Sequence, residues 1–336
     1  MGELRYPAID PVFLDLWGPL DLRYYGLMYV VGFMVGQYIL VRLARAGFLP
    51  MSPEKVNELI FALVLGVMLG GRIGYSLFYK PDMWMRPLEL FKVWQGGLSF
   101  HGGLLGVVIA FIWFGRKNGV PVWRLCDATA LAATPGIFAV RIANFINGEL
   151  YGRVIRPGEW TPPWAMRFPT DPYAREALGL FGLPKREQEL KIVAAFEDGT
   201  WDQIAAQVPL RHPSQLYEAL GEGLILGLVL WFVWRMTRTR PLGTGCYGGI
   251  FLMGYGIIRF IIEFFRQPDV QFQADPRNPD QLGTVLSIFS MGQVLCTLMI
   301  IAGLLLLVFR RDKYLPLAPP ADQVPTPPEP AGPSPG

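Results

Sequence analysis

The stretch RIANFINGELYGR, residues 141–153, places two arginines, two asparagines and a glutamate at the end of a long apolar run, LCDATALAATPGIFAV. Arg141 and Asn144 stand three residues apart, on one face of any helix that continues the run, and no carboxylate lies within helical reach of Arg141 on that segment. Further on, Arg259 and Glu263 are four residues apart, with Tyr255 one turn earlier. Arg72 sits in GVMLGGRIGY, His101 in GGLSFHGG, and Gln215 and Glu218 in HPSQLYE. A guanidinium stays charged in a low-dielectric setting, and its rigid fork of donors suits paired oxygens. Two or three of them facing one place therefore point to an anion of the phosphate kind.

Each of these residues also has a plainer use. Gly66, Gly70 and Gly74 follow the small-xxx-small spacing of close helix packing, and Arg72 beside them can snorkel to an interface or pair with a carboxylate. Arg259 and Glu263 can neutralise one another. His101 can be a satisfied core residue, although glycines on both sides clear space around its ring. Ser99 and Ser214 lie near His101 and His212, but adjacency in sequence does not make a nucleophile. Cys126, Cys246 and Cys296 fall in or beside apolar stretches without metal-ligand spacing, and with two histidines the chain reads as having no metal site and no cofactor.

The elements that must position these residues are set by composition. Hydrophobic residues make up 52% of the chain and charged residues only 17%. A soluble domain carries about 25% charged residues, so the balance points to a membrane. A net charge of +3 argues against nucleic acid. Seven stretches are long enough to cross a hydrocarbon core: residues 22–43, 57–78, 98–114, 127–146, 215–234, 245–265 and 284–309. Tyr24, Tyr25, Tyr79, Trp84, Trp94 and Trp123 gather at their ends as interfacial anchors. The N-terminus MGELRYPAIDPVF lacks the features of a cleaved signal, so the first span is expected to be retained. The expected fold is an all-α polytopic membrane protein of seven transmembrane helices.

Basic residues near the loops orient it. One side collects twelve: Arg42, Arg45, Lys55, Arg116, Lys117, Arg124, Arg235, Arg238, Arg240, Arg310, Arg311 and Lys313. The other, apart from the long connection between spans four and five, collects seven: Arg5, Arg23, Lys80, Arg86, Lys92, Arg266 and Arg277. The bias puts the N-terminus outside and the C-terminus in the cytoplasm. In that orientation Tyr25, Arg72, His101, Arg141, Asn144, Gln215, Glu218, Arg259 and Glu263 all fall near the extracytoplasmic surface. Separate segments need not agree in this way, and their agreement suggests one site. The abundant anion at that depth is a phospholipid head group.

Residues 1–313 form the expected transmembrane domain, with residues 148–213, polar and rich in Pro and Trp, as a small extracytoplasmic head. Residues 314–336 are Pro-rich and read as a disordered cytoplasmic tail. Three other classes fit parts of the pattern. A transporter of anionic lipid would favour a midplane site and internal repeats. A lipid-binding membrane protein would bind the same head group without chemistry. An intramembrane peptidase would need an activated serine or an aspartate pair.

RIANFINGELYGR resembles the defining motif of the bacterial prolipoprotein diacylglyceryl transferases. The resemblance extends to LRYYGLMYVVGF, GGRIGYSLFY, VWQGGLSFHGGLLG, RHPSQLYEAL and GYGIIRFIIEFFRQPD, in the family's order. Val140 and Ala143 stand where that family more often has glycine, a difference of local packing. The resemblance implies a seven-span enzyme of the bacterial cytoplasmic (inner) membrane. Its activity would move the diacylglyceryl group of phosphatidylglycerol onto the lipobox cysteine of a preprolipoprotein signal peptide, leaving a thioether and glycerol phosphate. Carried over by position, Arg141, Asn144, Glu149 and Gly152 match the motif's functional positions. Tyr25, His101, Tyr255, Arg259 and Glu263 match its other polar positions, and Arg72 joins the lipid-facing set. On that reading His101 is the candidate thiol base, while Arg141 and Arg259 stabilise the leaving phosphate.

Overall fold

The computed structural model describes residues 3–17, 20–92, 97–267, 273–275, 278–282, 284–285 and 289–319. Trp94 and residues 320–336 of the expected tail lie outside them. In chain order the elements begin with an antiparallel pair, β1 (Val12–Trp17) and β2 (Leu20–Arg23), followed by α1 (Tyr24–Arg45) and α2 (Pro53–Phe78). Next come α3 (Pro87–Phe91), α4 (Phe100–Asn118) and α5 (Val122–Ile146). The 148–213 segment carries α6 (Pro172–Ala177), α7 (Lys185–Glu197) and α8 (Thr200–Ile204). Then α9 (Ser214–Glu218), a π-helical stretch Ala219–Ile225 and α10 (Leu226–Thr237) run on as one rod, followed by α11 (Cys246–Ile262). Two short antiparallel strand pairs, β3 with β4 (Gln273–Asp275 with Asn278–Leu282) and β5 with β6 (Thr284–Val285 with Phe289–Ser290), precede α12 (Met291–Arg310).

Among the described residues five helices are long and apolar enough to cross a membrane: α1, α2, α5, the rod Ser214–Thr237 and α12. α11 is apolar but shorter, with 17 residues, and α4 has 19. On α12, Leu295, Leu298, Ile301, Leu304, Leu305 and Val308 are all exposed. An apolar face of that extent has no place in water, and lipid is its natural neighbour. The protein is a mostly helical, multi-pass membrane protein.

The helix boundaries differ from the hydropathic ones because caps and prolines, not hydropathy, end a helix. α2 begins at Pro53 behind Ser52, with Glu54 in its first turn, ahead of residue 57, where the apolar run starts. α4 is capped by Ser99, whose hydroxyl accepts from the Gly102 amide at 3.3 Å, and ends where Gly119 turns left-handed at φ 67°. The last apolar stretch, read from residue 284, enters its helix only at Met291, after β5 and β6.

The chain divides into two compact units. One comprises Met1–Gly36, Leu131–Val233 and Gly248–Phe309; the other comprises Gln37–Ala130, Trp234–Tyr247 and Arg310–Gly336. In the second unit α2 and α4 pack through facing glycines: a Cβ on Gly66 would lie 2.6 Å from the Gly106 carbonyl oxygen, and one on Gly74 would lie 2.9 Å from the Gly102 Cα. In the first unit, the α9–α10 rod is wedged between α5 and α11. A Cβ on Gly223 would come within 2.6 Å of Phe138, and one on Gly221 within 2.6 Å of Ile258. Gly227 against Thr134 and Gly254 against Leu226 extend the same close packing. These contacts leave no room for side chains in the two seams. They bring α9 and its π-helical extension close enough for short side-chain bonds to both neighbours.

Candidate functional site

The wedged rod delivers two glutamates, Glu218 and Glu222, four residues apart and both fully buried. Glu218 is a hub. Its Oε2 meets Arg141 Nη1 of α5 at 2.8 Å, and its Oε1 meets Arg259 Nη1 of α11 at 2.6 Å and Arg266 Nε at 3.4 Å. The second arm of each guanidinium reaches another carboxylate: Arg141 Nη2 lies 3.4 Å from Glu222 Oε2, and Arg259 Nη2 lies 3.1 Å from Glu263 Oε2. Glu263 also accepts from the Ser290 hydroxyl at 3.2 Å. Tyr255, one turn before Arg259, faces Glu222 and Arg141. Among the described residues the cluster thus joins three guanidiniums and three carboxylates, so its formal charges balance. Burying so many charges together requires that balance, because an unpaired ion there would cost several kcal/mol. Arg141 retains 19% exposure at its side chain while Glu218 and Glu222 have none, so an approaching anion meets the cation first.

A second constellation, of amides, adjoins it along the same two helices. Asn144, one turn after Arg141, donates from Nδ2 to Glu149 Oε1 at 2.9 Å, and Asn147 donates to the same oxygen at 3.2 Å. Gln215, one turn before Glu218, donates to the Glu149 carbonyl at 2.8 Å. Tyr25, near the start of α1, faces Asn144. The chain reaches this shape by leaving α5 abruptly. Gly148 is left-handed at φ 63° and Leu150 at φ 57°, a conformation that costs a residue with a side chain. Leu150 is held there by the Ser214 hydroxyl, which donates to its carbonyl at 3.0 Å. The Tyr6 hydroxyl donates to the carbonyls of Phe145 and Ile146, both at 2.9 Å, and closes the end of α5.

Gly152 lies where two backbones leave no space. A Cβ there would come within 2.6 Å of the His212 carbonyl oxygen, with the Phe265 carbonyl closer still, and its amide donates to His212 at 2.7 Å. His212 is buried, with its Nδ1 3.1 Å from the Tyr217 hydroxyl and its ring 5.1 Å from that of Phe265. Burial, aided by the charge of Arg153, pushes its pKa down to about 4.

The first unit therefore brings together Tyr25, Arg141, Asn144, Glu149, Gly152, Tyr255, Arg259 and Glu263. Arg72 and His101 belong to the second unit. Arg72 is buried and donates to the carbonyls of Leu90 at 3.0 Å, Gly97 at 3.1 Å, Glu89 at 2.5 Å and Lys92 at 3.2 Å. Its guanidinium ties the end of α3 to α2. His101 is exposed, in the first turn of α4. It stands at one end of a groove of about 510 Å³ between α2 and α4, lined by Leu69, Ile73, Leu105 and Ile109.

In the sequence Glu218 falls at the common depth without a role, Arg266 counts only among the flanking basic residues, and Glu222 and Ser290 are not among the candidates. A signal for Glu222 was present: two glutamates four residues apart in the apolar stretch YEALGEGLILGL face one side of a membrane helix and require cations. Arg141 has its carboxylates, but on another helix, which spacing along its own segment could not reveal.

The model of the family described as prolipoprotein diacylglyceryl transferase matches residues 11–309. A phosphatidylglycerol–prolipoprotein diacylglyceryl transferase of Yersinia enterocolitica is 41% identical over 309 residues, which cover 91% of this chain and 95% of that protein. Transferases of the same name from Yersinia pestis and Yersinia pseudotuberculosis match at the same identity and the same coverage.

Proposed function

The chain belongs to the prolipoprotein diacylglyceryl transferase family, and from that premise we propose that it transfers the diacylglyceryl group of phosphatidylglycerol to the cysteine thiol of a prolipoprotein. The observation that carries the reading is the buried Arg141–Glu218–Arg259 array, carried by two helices long and apolar enough to cross a membrane and by the shorter apolar α11, with Arg141 at its accessible edge. The thiolate attacks the sp³ carbon that bears the phosphate ester; the C–O bond breaks as the C–S bond forms, and glycerol phosphate leaves with the bonding pair. Charge grows on the departing phosphate, and Arg141 and Arg259 offer forked donors to it. Glu218 and Glu263 hold those forks in orientation. Asn144, positioned by Glu149, is assigned to the glycerol or phosphate oxygens, with Tyr25 and Tyr255 beside it. Gly152 lets its backbone lie directly against that of His212 beside the amide cluster. His101 is assigned the thiol proton on residue type and on the family motif. Arg72 stays in the lipid-facing set by the same resemblance.

The same reading includes the finer topology: seven spans, with α4 and α11 as the two shorter ones, residues 148–213 as an extracytoplasmic head, and residues 314–336 as a cytoplasmic tail. The N-terminus lies outside, in a bacterial cytoplasmic membrane. The acceptor cysteine belongs to a lipobox just after a signal-peptide helix. The direct test incubates the purified protein with phosphatidylglycerol and a lipobox peptide and weighs the peptide. A gain of one diacylglyceryl group through a thioether, with glycerol phosphate released, is expected. A peptide of unchanged mass in the presence of bound lipid would overturn the reading in favour of a lipid-binding protein.

A further inference from the structure

Arg141 and Arg259 hold their carboxylates unequally. Glu218 takes three guanidiniums, at 2.8, 2.6 and 3.4 Å, so losing one contact leaves it paired. Glu222 meets Arg141 through Oε2 at 3.4 Å, the longer of that guanidinium's two contacts. Its carboxylate is fully buried, and besides Arg141 it is approached by the Tyr255 hydroxyl, a neutral partner that stays in place whether or not the guanidinium is held. The charged and titratable groups facing Glu222 are Arg141 on α5, Glu218 on its own rod, and Tyr255 and Arg259 on α11. Cys296 on α12 also feels its charge. The Glu222 backbone has little room to move, because Gly221 is pressed against Ile258 and Gly223 against Phe138. Exchange at Arg141 must therefore be a side-chain event.

Resting on the reading of Arg141 as a phosphate ligand, we propose that Glu222 is the exchangeable counter-ion of Arg141: the lipid phosphate takes the guanidinium arm that Glu222 holds, and Glu222 binds a proton as it lets go. Electroneutrality requires the proton. Among the described residues the resting cluster holds three positive and three negative charges, and a phosphodiester adds one negative charge. Glu222 is fully buried, and a buried carboxylate stripped of its cation neutralises itself rather than remaining charged. When the glycerol phosphate departs, Glu222 returns its proton and pairs again with Arg141, which helps to expel the product. Glu222 is thus a positioning residue, acting through Arg141.

The linkage has a definite sign. Binding that takes up a proton weakens as pH rises, by up to about tenfold per pH unit for one proton. The test measures the affinity of the full-length protein, in non-ionic detergent, for a short-chain phosphatidylglycerol between pH 5.5 and 8.5. The parent protein is expected to lose affinity with rising pH. Glu222→Gln, which removes the exchanging charge, is expected to bind more tightly at high pH and to lose one proton's worth of slope. In turnover it lowers both KM for the lipid and kcat, because nothing displaces the product. Glu222→Asp keeps the charge and restores the slope. Calorimetry on the unaltered protein, in two buffers of different ionisation heat, counts the proton directly and does not depend on the folding of any variant. An uptake near one proton per lipid supports the exchange. An uptake of zero, or a Glu222→Gln variant with the parent's slope, overturns it. Arg141→Gln separates the two levels: unchanged lipid affinity in that variant removes the phosphate reading itself. Lost affinity, with the parent's slope intact in Glu222→Gln, removes only the exchange.

Discussion

Arg141 and Arg259 share one carboxylate: Glu218 takes the first at 2.8 Å on one oxygen and the second at 2.6 Å on the other. α5 and α11 are thereby tied through a side chain of the rod that runs between them. Removing one partner of a buried ion pair strands the rest, at a cost of about 3–5 kcal/mol. Glu218→Gln is therefore expected to lower the thermal unfolding temperature in detergent and to abolish transfer, whereas Glu218→Asp retains part of both. Normal stability and activity in Glu218→Gln would show that the hub does not hold the arginines.

Arg141→Lys keeps a positive charge but loses the fork that reaches Glu218 and Glu222 together. The expected loss in single-turnover rate is about 10²- to 10³-fold, the usual effect of removing one donor to a developing oxyanion. It should persist at every pH from 6.5 to 9.5. A near-normal rate would remove Arg141 from the phosphate.

His101→Gln is predicted to behave differently. A substrate thiol of pKa about 8.5 is roughly one-tenth ionised at pH 7.5, so the variant should be most damaged near neutrality and recover as pH approaches 9. A rate profile that stays flat and low across that range would mean that His101 orders lipid or backbone instead of taking the proton.

Gly152→Ala places a Cβ against the His212 and Phe265 backbones, which cannot rotate away as a side chain end could. Overpacking of this kind costs about 1–3 kcal/mol. The variant should melt earlier than the parent and transfer more slowly. Glycine at Gly158, where a Cβ would meet open space but φ is 90°, is the control for backbone strain without crowding. Equal melting of Gly152→Ala and the parent would contradict the crowding.

His212 contributes a pH dependence of the fold. Burial holds its pKa down at about 4 in the folded protein, against an ordinary 6.5 for histidine, so between those limits the unfolded chain binds more protons. Stability is therefore complete above pH 6.5 and falls as the pH drops towards 4, by at most about 1.4 kcal/mol per pH unit. His212→Phe keeps a ring against Phe265 and should flatten that fall, read by denaturation at pH 7 and pH 5. An unchanged slope would assign the acid sensitivity to other groups.

The topology is tested by labelling. A cysteine introduced at Pro163 should react with an impermeant thiol reagent in intact spheroplasts, and one at Thr239 should not. The reverse pattern would invert the orientation inferred from the basic residues.

Length and hydropathy alone determined that this chain lives in a membrane, because an apolar run of about 20 residues has few other stable uses. The residue types pointed to an anion, since Arg141 and Arg259 are forked cations, and the order of the motifs determined the family. Spacing along a helix also paired Arg259 with Glu263, because residues four apart share a face whatever the fold. What it could not reach was any partner on another helix. Which carboxylates neutralise Arg141 depends on the glycine seams that wedge α9 and its extension between α5 and α11. The widened turn that carries Glu222, the left-handed Leu150 and the crowding at Gly152 are likewise set by neighbours distant in sequence. Local preference does not encode them, because each is a strained or unusual choice that only surrounding packing makes stable. Arg72 makes the point most plainly: its sequence neighbourhood marks an interfacial cation, and only the fold brings the carbonyls of residues 89–92 to its guanidinium.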